Sequence, residues 1–146
     1  MTKVHNMAME LRAAYLSMHR QTNAHLLQHG VTADQFVCLV ILEEEDGITQ
    51  QELTRRATSD PNTMRAMLML LEKCGLVTRE KHPHDRRARI VRITQKGRQI
   101  CKKLTSELDP VRDRMVSLFG EKETDKLVEY LRRISDALRA VNNSIG

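Results

Sequence analysis

The chain is poor in aromatic side chains, with two Phe, two Tyr and no Trp in 146 residues. So few rings make it hard to line a cleft that stacks a large flat ligand. It also lacks an apolar run of the roughly 20 residues that a membrane-spanning helix needs. The opening Met1-Thr2-Lys3-Val4-His5-Asn6 has no hydrophobic stretch of the secretory kind. These absences predict a soluble, cytoplasmic protein with no membrane partner. Only three cysteines occur, Cys38, Cys74 and Cys101. Their odd number and wide spacing argue against a disulfide framework and a Cys-x-x-Cys zinc site, and predict buried, reduced thiols. No Gly-rich phosphate loop, Ser/His/Asp order or suitably placed pair of carboxylates stands out. No catalytic residue, metal site or cofactor is therefore expected, and an enzyme is the disfavoured class.

Helix formers are abundant. Leu, Met, Ala, Arg, Glu and Lys dominate, and 40% of the chain is hydrophobic, enough for the core of one domain or compact subunit. The net charge of +5 is unevenly spread. From Arg55 to Lys103 there are 14 Lys/Arg against 4 Asp/Glu, a local charge of +10, which leaves −5 for the remainder. A basic middle between acidic flanks suits a module that faces a polyanion. An unevenly charged solvated surface is the plainer reading of the same pattern.

Periodicity places the elements. Met7, Leu11, Ala14, Met18 and Leu26 mark one stripe of a first helix, from about Lys3 to His29, which Gly30 should stop. Thr32 with Gln35 three residues on reads as a capping box, opening a helix whose inner face is Phe36, Leu39, Val40 and Leu42. That helix ends in Glu43-Glu44-Glu45-Asp46-Gly47. Thr49 and Glu52 form a second capping-box pattern at the start of a short helix with Leu53 and Ala57 inside. Asp60-Pro61 opens the next, since Asp caps well and Pro is pre-set for the first helical position. Its buried face is Met64, Met67, Leu68 and Leu71, and Cys74-Gly75 ends it.

The period then changes. Leu76–Glu80 and Arg89–Ile93 read as two strands joined by a long basic tip, Lys81 to Ala88. A fifth helix follows Thr94-Gln95-Lys96-Gly97, carrying Ile100, Leu104, Leu108, Val111, Met115 and Leu118, and Pro110 should kink or break it. In the last segment, about Glu121 to Ser144, Leu127, Leu131, Ile134, Leu138, Val141 and Ile145 follow a 4-3-4-3-4 spacing. That is a coiled-coil-like seam. It serves either the protein's own core or a second subunit, and its terminal position in a small chain favours self-association through Leu127, Leu131, Ile134, Leu138 and Val141, with Leu11 and Met18 of the first helix.

Two helices joined by the short link Thr58-Ser59 and followed by a basic hairpin make a winged helix-turn-helix. In such a module the second helix enters the major groove of double-stranded DNA. Arg65 can pair with guanine, Asn62 with adenine, and Thr63 can reach a base or a phosphate. Ser59, Thr49 and Gln50 lie at helix N-termini, where phosphates are favoured. Arg86, Arg87 and Arg89 at the hairpin tip suit a narrow minor groove, with Asp85 as a brace holding Arg87. A winged-helix module that binds protein is the alternative; such a module should lack the concentrated positive charge.

The stretch Gly47 to Gly97 resembles the MarR family of regulators. The matching pieces are Thr49-Gln50-x-Glu52-Leu53, then Leu71-Glu72-x-x-Gly75-Leu76-Val77-x-Arg79, then Asp85-Arg86-Arg87, then Val91-x-Ile93-Thr94-x-x-Gly97. The resemblance implies a mainly α fold with a small two-stranded β wing. It implies a dimerisation region from residues 1–31 and 98–146, and a DNA-binding region at 32–97. It further implies a homodimer on pseudo-palindromic promoter DNA, usually a repressor, often released by a small phenolic or anionic ligand. In that comparison Arg87 matches the family's wing arginine and Asp85 its partner. Arg65 and Ala66 stand where many members carry Thr then Arg, so the DNA sequence read does not transfer.

Signals for an inducer are sparse. Some relatives sense oxidants through an N-terminal cysteine, which this first helix lacks; Cys74, at the end of the recognition helix, is the redox candidate. His25 and His29 lie one turn apart with His19 above them, but no third metal ligand is evident. His82 and His84 on the wing are expected to meet phosphate or solvent. A small-molecule pocket would be lined by the first, second and fifth helices.

Overall fold

The computed structural model describes the backbone of residues 2–145 and the side chains of residues 2–141. Helix α1 (Lys3–Leu26) starts where the Thr2 hydroxyl accepts from the His5 amide. It tightens into a 3-10 turn (Leu27–His29) and stops at Gly30, whose φ of 69° is left-handed. Helix α2 (Ala33–Glu44) opens with the full capping box of Thr32 and Gln35, and Asn23 Oδ1 accepts from the Ala33 amide at 2.7 Å, tying α1 to the start of α2.

Strand β1 (Ile48–Thr49) leads into α3 (Gln50–Arg56), then α4 (Pro61–Lys73), β2 (Val77–Lys81), β3 (Arg89–Ile93) and α5 (Gln95–Glu107). The anticipated hairpin forms with Val77 opposite Ile93 and Lys81 opposite Arg89. The wing is larger than two strands, because Ile48 and Thr49 pair with Val91 and Ile90 and make a three-stranded antiparallel sheet in the order β1-β3-β2. Two residues are too few for a period-2 pattern, so this strand leaves no signature in the sequence.

The core gathers one face from each of α1 to α5 and from β2 and β3: Leu26, Cys38, Leu39, Leu42, Leu53, Met64, Leu68, Leu71, Val77, Val91 and Leu104 are all essentially sealed from solvent. Two cysteines, Cys38 and Cys101, are buried as expected. Burial, with Asp34 nearby, pushes the Cys38 thiol up to about 12, so it stays protonated and unreactive. Cys74 departs from the expectation: as the C-cap of α4 it is exposed.

Gly97 is required by packing rather than by its backbone angle. A Cβ there would overlap the carbonyl oxygen of Leu76 and press on Ile93. Its absence lets the first turn of α5 lie against the start of the wing. Thr94 supports the same junction, its hydroxyl donating to the Gly75 carbonyl and accepting from the Gly97 amide.

The helix expected around Pro110 is broken in two: α5 ends at Glu107 and α6 (Asp109–Ser117) begins at Asp109. The chain divides at the same place into two compact units, Met1–Leu108 and Asp109–Gly146. In the second unit α6 is followed by α7 (Gly120–Ile145). Along α7 the seam residues Leu127, Leu131, Leu138 and Val141 are exposed and Ile134 is half-buried; the Ile145 side chain lies outside the described residues. In the first unit, α1 likewise leaves Met7 and Met18 exposed and Leu11 half-buried, and of its stripe only Leu26 is buried.

Candidate nucleic-acid interface

The link between α3 and α4 is a Schellman turn. The Ser59 amide bonds to the Thr54 carbonyl and the Thr58 amide to the Arg55 carbonyl. The residue that takes the left-handed conformation is Thr58, with φ 53°. Glycine normally fills such a position, since a β-branched side chain there is strained. The turn directs the chain into Asp60, which caps α4. Asp60 Oδ1 accepts from the Thr63 amide at 2.9 Å and Oδ2 from the Thr63 hydroxyl at 2.7 Å. These bonds, the hydroxyl's first and the amide's second, hold the Asp60 carboxyl below its ordinary range.

With Met64, Leu68 and Leu71 buried, the opposite side of α4 is free: Asn62, Thr63, Arg65, Ala66, Met69, Leu70 and Lys73 are all exposed. Arg65 Nη2 donates to Asn62 Oδ1 at a long 3.5 Å, a contact easily exchanged for a base edge. Thr49 caps α3, its oxygen accepting from the Glu52 amide. The reciprocal half of the anticipated capping box is not made. The Glu52 carboxylate instead takes Arg55 Nη2 at 2.6 Å and Arg56 Nε at 2.9 Å. Two guanidinium groups one turn away outcompete a single backbone amide. The Arg55 bond, then the Arg56 bond, draw Glu52 down to about 2. Gln50 and Ser59 are both half-buried.

The wing tip is a built loop. His82 Nδ1 accepts from the amides of His84 and Asp85, at 3.1 and 3.0 Å. This ring nitrogen, expected to face phosphate or solvent, is therefore spent on the turn. Asp85 Oδ1 accepts from the Arg87 amide at 2.9 Å, so the carboxylate fixes the backbone of Arg87. Arg86, Arg87 and Arg89 project from this frame, exposed.

The positive charge of the middle segment sorts into two groups. Arg55, Arg56, Arg79, Arg92 and Arg98 are engaged by Glu52, Glu45, Glu72, Glu80, Glu43 and Asp46. Among the described residues of this segment Arg65, Lys73, Lys81, Arg86, Arg87, Arg89, Lys96, Lys102 and Lys103 are in no ion pair within the chain. The unpaired arginines thus sit on the outer face of α4 and at the wing tip, while the unpaired lysines are spread over α4, the wing and α5. The Arg79–Glu72 pair links the base of the wing to α4.

Asp46 is a structural residue that sequence reasoning passed over. Its Oδ1 accepts from the Ile93 amide at 2.9 Å and its Oδ2 from Arg98 at 3.3 Å, joining the end of α2 to β3 and α5. His29 Nε2 meets Glu107 Oε2 at 2.6 Å, and no cluster of three His, Cys, Asp or Glu able to hold an ion occurs among the described residues. No helix among them is long and apolar enough to cross a membrane.

Comparison with known proteins agrees with this geometry. Residues 31–88 match the model of the MarR family. The transcriptional regulator MhqR of Bacillus subtilis is 26% identical over 124 residues, covering 85% of this chain and 86% of MhqR. Among solved structures, the transcriptional repressor CouR bound to a 23-mer DNA duplex is 28% identical with a TM-score of 0.79, covering 86% of this chain and 89% of CouR. NadR in complex with 4-hydroxyphenylacetate shares the fold, with a TM-score of 0.78 at 24% identity over 88% of this chain and 91% of NadR. Its helix-turn-helix and braced wing thus fall in the segment, residues 31–88, that matches the MarR family model, in a chain similar over most of its length to transcriptional regulators.

Proposed function

We propose that the chain acts in the cytoplasm as a homodimer that reads pseudo-palindromic promoter DNA and represses transcription. The single observation that carries the DNA contacts is the segregation of the arginines: five of the nine in the basic segment are engaged by carboxylates, whereas Arg65 of α4 and Arg86, Arg87 and Arg89 of the wing tip are left for an external anion. In this reading Thr49, Gln50 and Ser59 meet phosphates. Asn62, Thr63 and Arg65 read base edges in the major groove, and Arg86, Arg87 and Arg89 enter the flanking minor groove, with Asp85 fixing Arg87. The DNA-bound state of CouR supports the same use of the module.

Two such modules reach successive major grooves, about 34 Å apart, only when a two-fold dimer sets their spacing. The exposed apolar faces of α1 and α7 supply surface for that dimer, giving residues 1–31 and 98–146 the dimerising role and 32–97 the DNA-binding role. A small phenolic or anionic ligand that alters the spacing would release DNA by favouring the state that no longer fits two half-sites. NadR holds a ligand of that chemistry, 4-hydroxyphenylacetate. In this chain α2 and α5 border a groove of about 400 Å³ lined by Glu43, Arg98, Cys101, Lys102 and Thr105.

Titration of the purified protein against a selected duplex tests the contacts. Arg87→Ala is expected to weaken binding to most sequences and to lower the salt slope by about one unit. Arg65→Ala is expected to cost about 1–3 kcal/mol and relax preference at one position per half-site. Unchanged affinity in both variants would show these contacts to be wrongly assigned.

A further inference from the structure

The outer face of α4 is divided in chemistry. At 3.6 residues per turn, Asn62, Ala66, Met69 and Lys73 form the row opposite the buried Met64, Leu68 and Leu71. The row begins and ends polar. Its first turn carries Asn62, in contact with Arg65, and the adjacent Thr63, held by Asp60. Its middle is apolar, with Ala66 exposed and Met69 56% exposed, flanked by Leu70 at 55%. Exposed apolar side chains opposite the core add little to the fold's stability. Here they sit between groups suited to base edges and a lysine suited to phosphate, which makes a DNA groove the fitting occupant.

We propose that Ala66 and Met69 recognise the 5-methyl groups of thymine, so that the base pairs beneath the middle of α4 are A·T. The proposal rests on the DNA-binding reading above and adds the base chemistry read by this part of the helix. In the major groove thymine alone presents a methyl group, beside its O4 acceptor, whereas guanine, cytosine and adenine present only hydrogen-bonding atoms there. Neither Ala66 nor Met69 can satisfy a desolvated guanine or cytosine edge, and leaving such an edge unpaired is costly. Against a thymine methyl the same side chains remove apolar surface from water.

The test uses the full chain and duplexes that it selects from a randomised pool. Each thymine of a half-site is replaced singly by deoxyuridine, which deletes only the methyl group, and Kd is measured at fixed salt. For the unaltered protein one or two thymines per half-site should each be worth about fourfold in affinity, the value of one buried methyl. At those positions Met69→Ala or Ala66→Gly should bind the two duplexes equally, with circular dichroism melts showing that both variants fold. A selected inverted repeat that is indifferent to uracil, or a uracil effect undiminished in both variants, overturns this proposal and leaves the DNA-binding reading intact. Failure to select any sequence overturns both.

Discussion

Asp60 holds Thr63 twice, through the backbone amide and through the hydroxyl. The first residues of the recognition helix are thereby fixed before any DNA arrives, and the Thr63 hydroxyl, already donating, is left with lone pairs to accept from a base or a bridging water. Asp60→Ala should lower the melting temperature and weaken DNA binding, while Asp60→Asn, which keeps an acceptor for the amide, should recover most of the stability. Equal melting temperatures for Asp60→Ala and the unaltered chain would remove the cap from the account.

Gly97 predicts a packing failure. Gly97→Ala drives a methyl into the Leu76 carbonyl, a backbone atom that cannot swing away. The cost expected in urea denaturation is about 1–3 kcal/mol. A variant as stable as the original would mean that α5 is free to lift from the wing.

Thr58 predicts the opposite sign. The backbone there is left-handed, and glycine relieves that strain while adding freedom to the unfolded chain. Thr58→Gly should therefore stabilise by a net of about 0.5–1 kcal/mol, and Thr58→Pro, whose ring forbids a positive φ, should prevent the turn. Equilibrium unfolding of the two variants checks both directions.

Glu52 gives a pH signature. Its folded-state pKa lies below the ordinary 4.5, at about 2, because Arg55 and Arg56 hold the carboxylate. A depressed carboxylate stabilises the fold fully above the unfolded value and loses that contribution as pH falls through the folded one. The stability gap between the unaltered chain and Glu52→Gln should be constant above pH 4.5 and close as the pH approaches 2. A gap that does not change over that window would show the ion pairs to be energetically silent.

The α7 seam predicts an oligomeric state. Sedimentation of the unaltered chain should give about twice 16.8 kDa. Leu131→Asp with Leu138→Asp places charge on an apolar face that is already exposed within the chain. The pair should shift the mass toward the monomer without unfolding the DNA-binding unit.

The residues legible in the sequence were those whose chemistry acts locally. Thr32 with Gln35, Asp60 with Pro61, and Gly30 and Gly75 mark helix ends through bonds spanning a few residues, and α2, α4 and the wing strands fall where they indicate. Misreadings came where a second partner competed. Glu52 matched a capping box, yet arginines three and four residues on were better partners than an amide. Asp46 looked like one acid in a run, because its partners Ile93 and Arg98 are distant in sequence. Cys74 was assigned to the interior by residue type, although its place at the end of α4 puts it at the surface. At the candidate interface, the exposure of Asn62, Arg65 and the wing arginines could be read from the pattern. Which cations are neutralised could not, since four of the five engaged arginines find a carboxylate on another element.

The central claim is that the unpaired face of α4 and the wing grip DNA with two-fold symmetry. It is tested most directly by letting the purified chain select genomic fragments at near-physiological salt, where specific sites stand clear of non-specific binding. The account predicts enrichment of a short inverted repeat whose half-site centres lie about one helical turn apart. Fragments no more enriched than random DNA, or a single unrepeated site bound by a monomer, would contradict it.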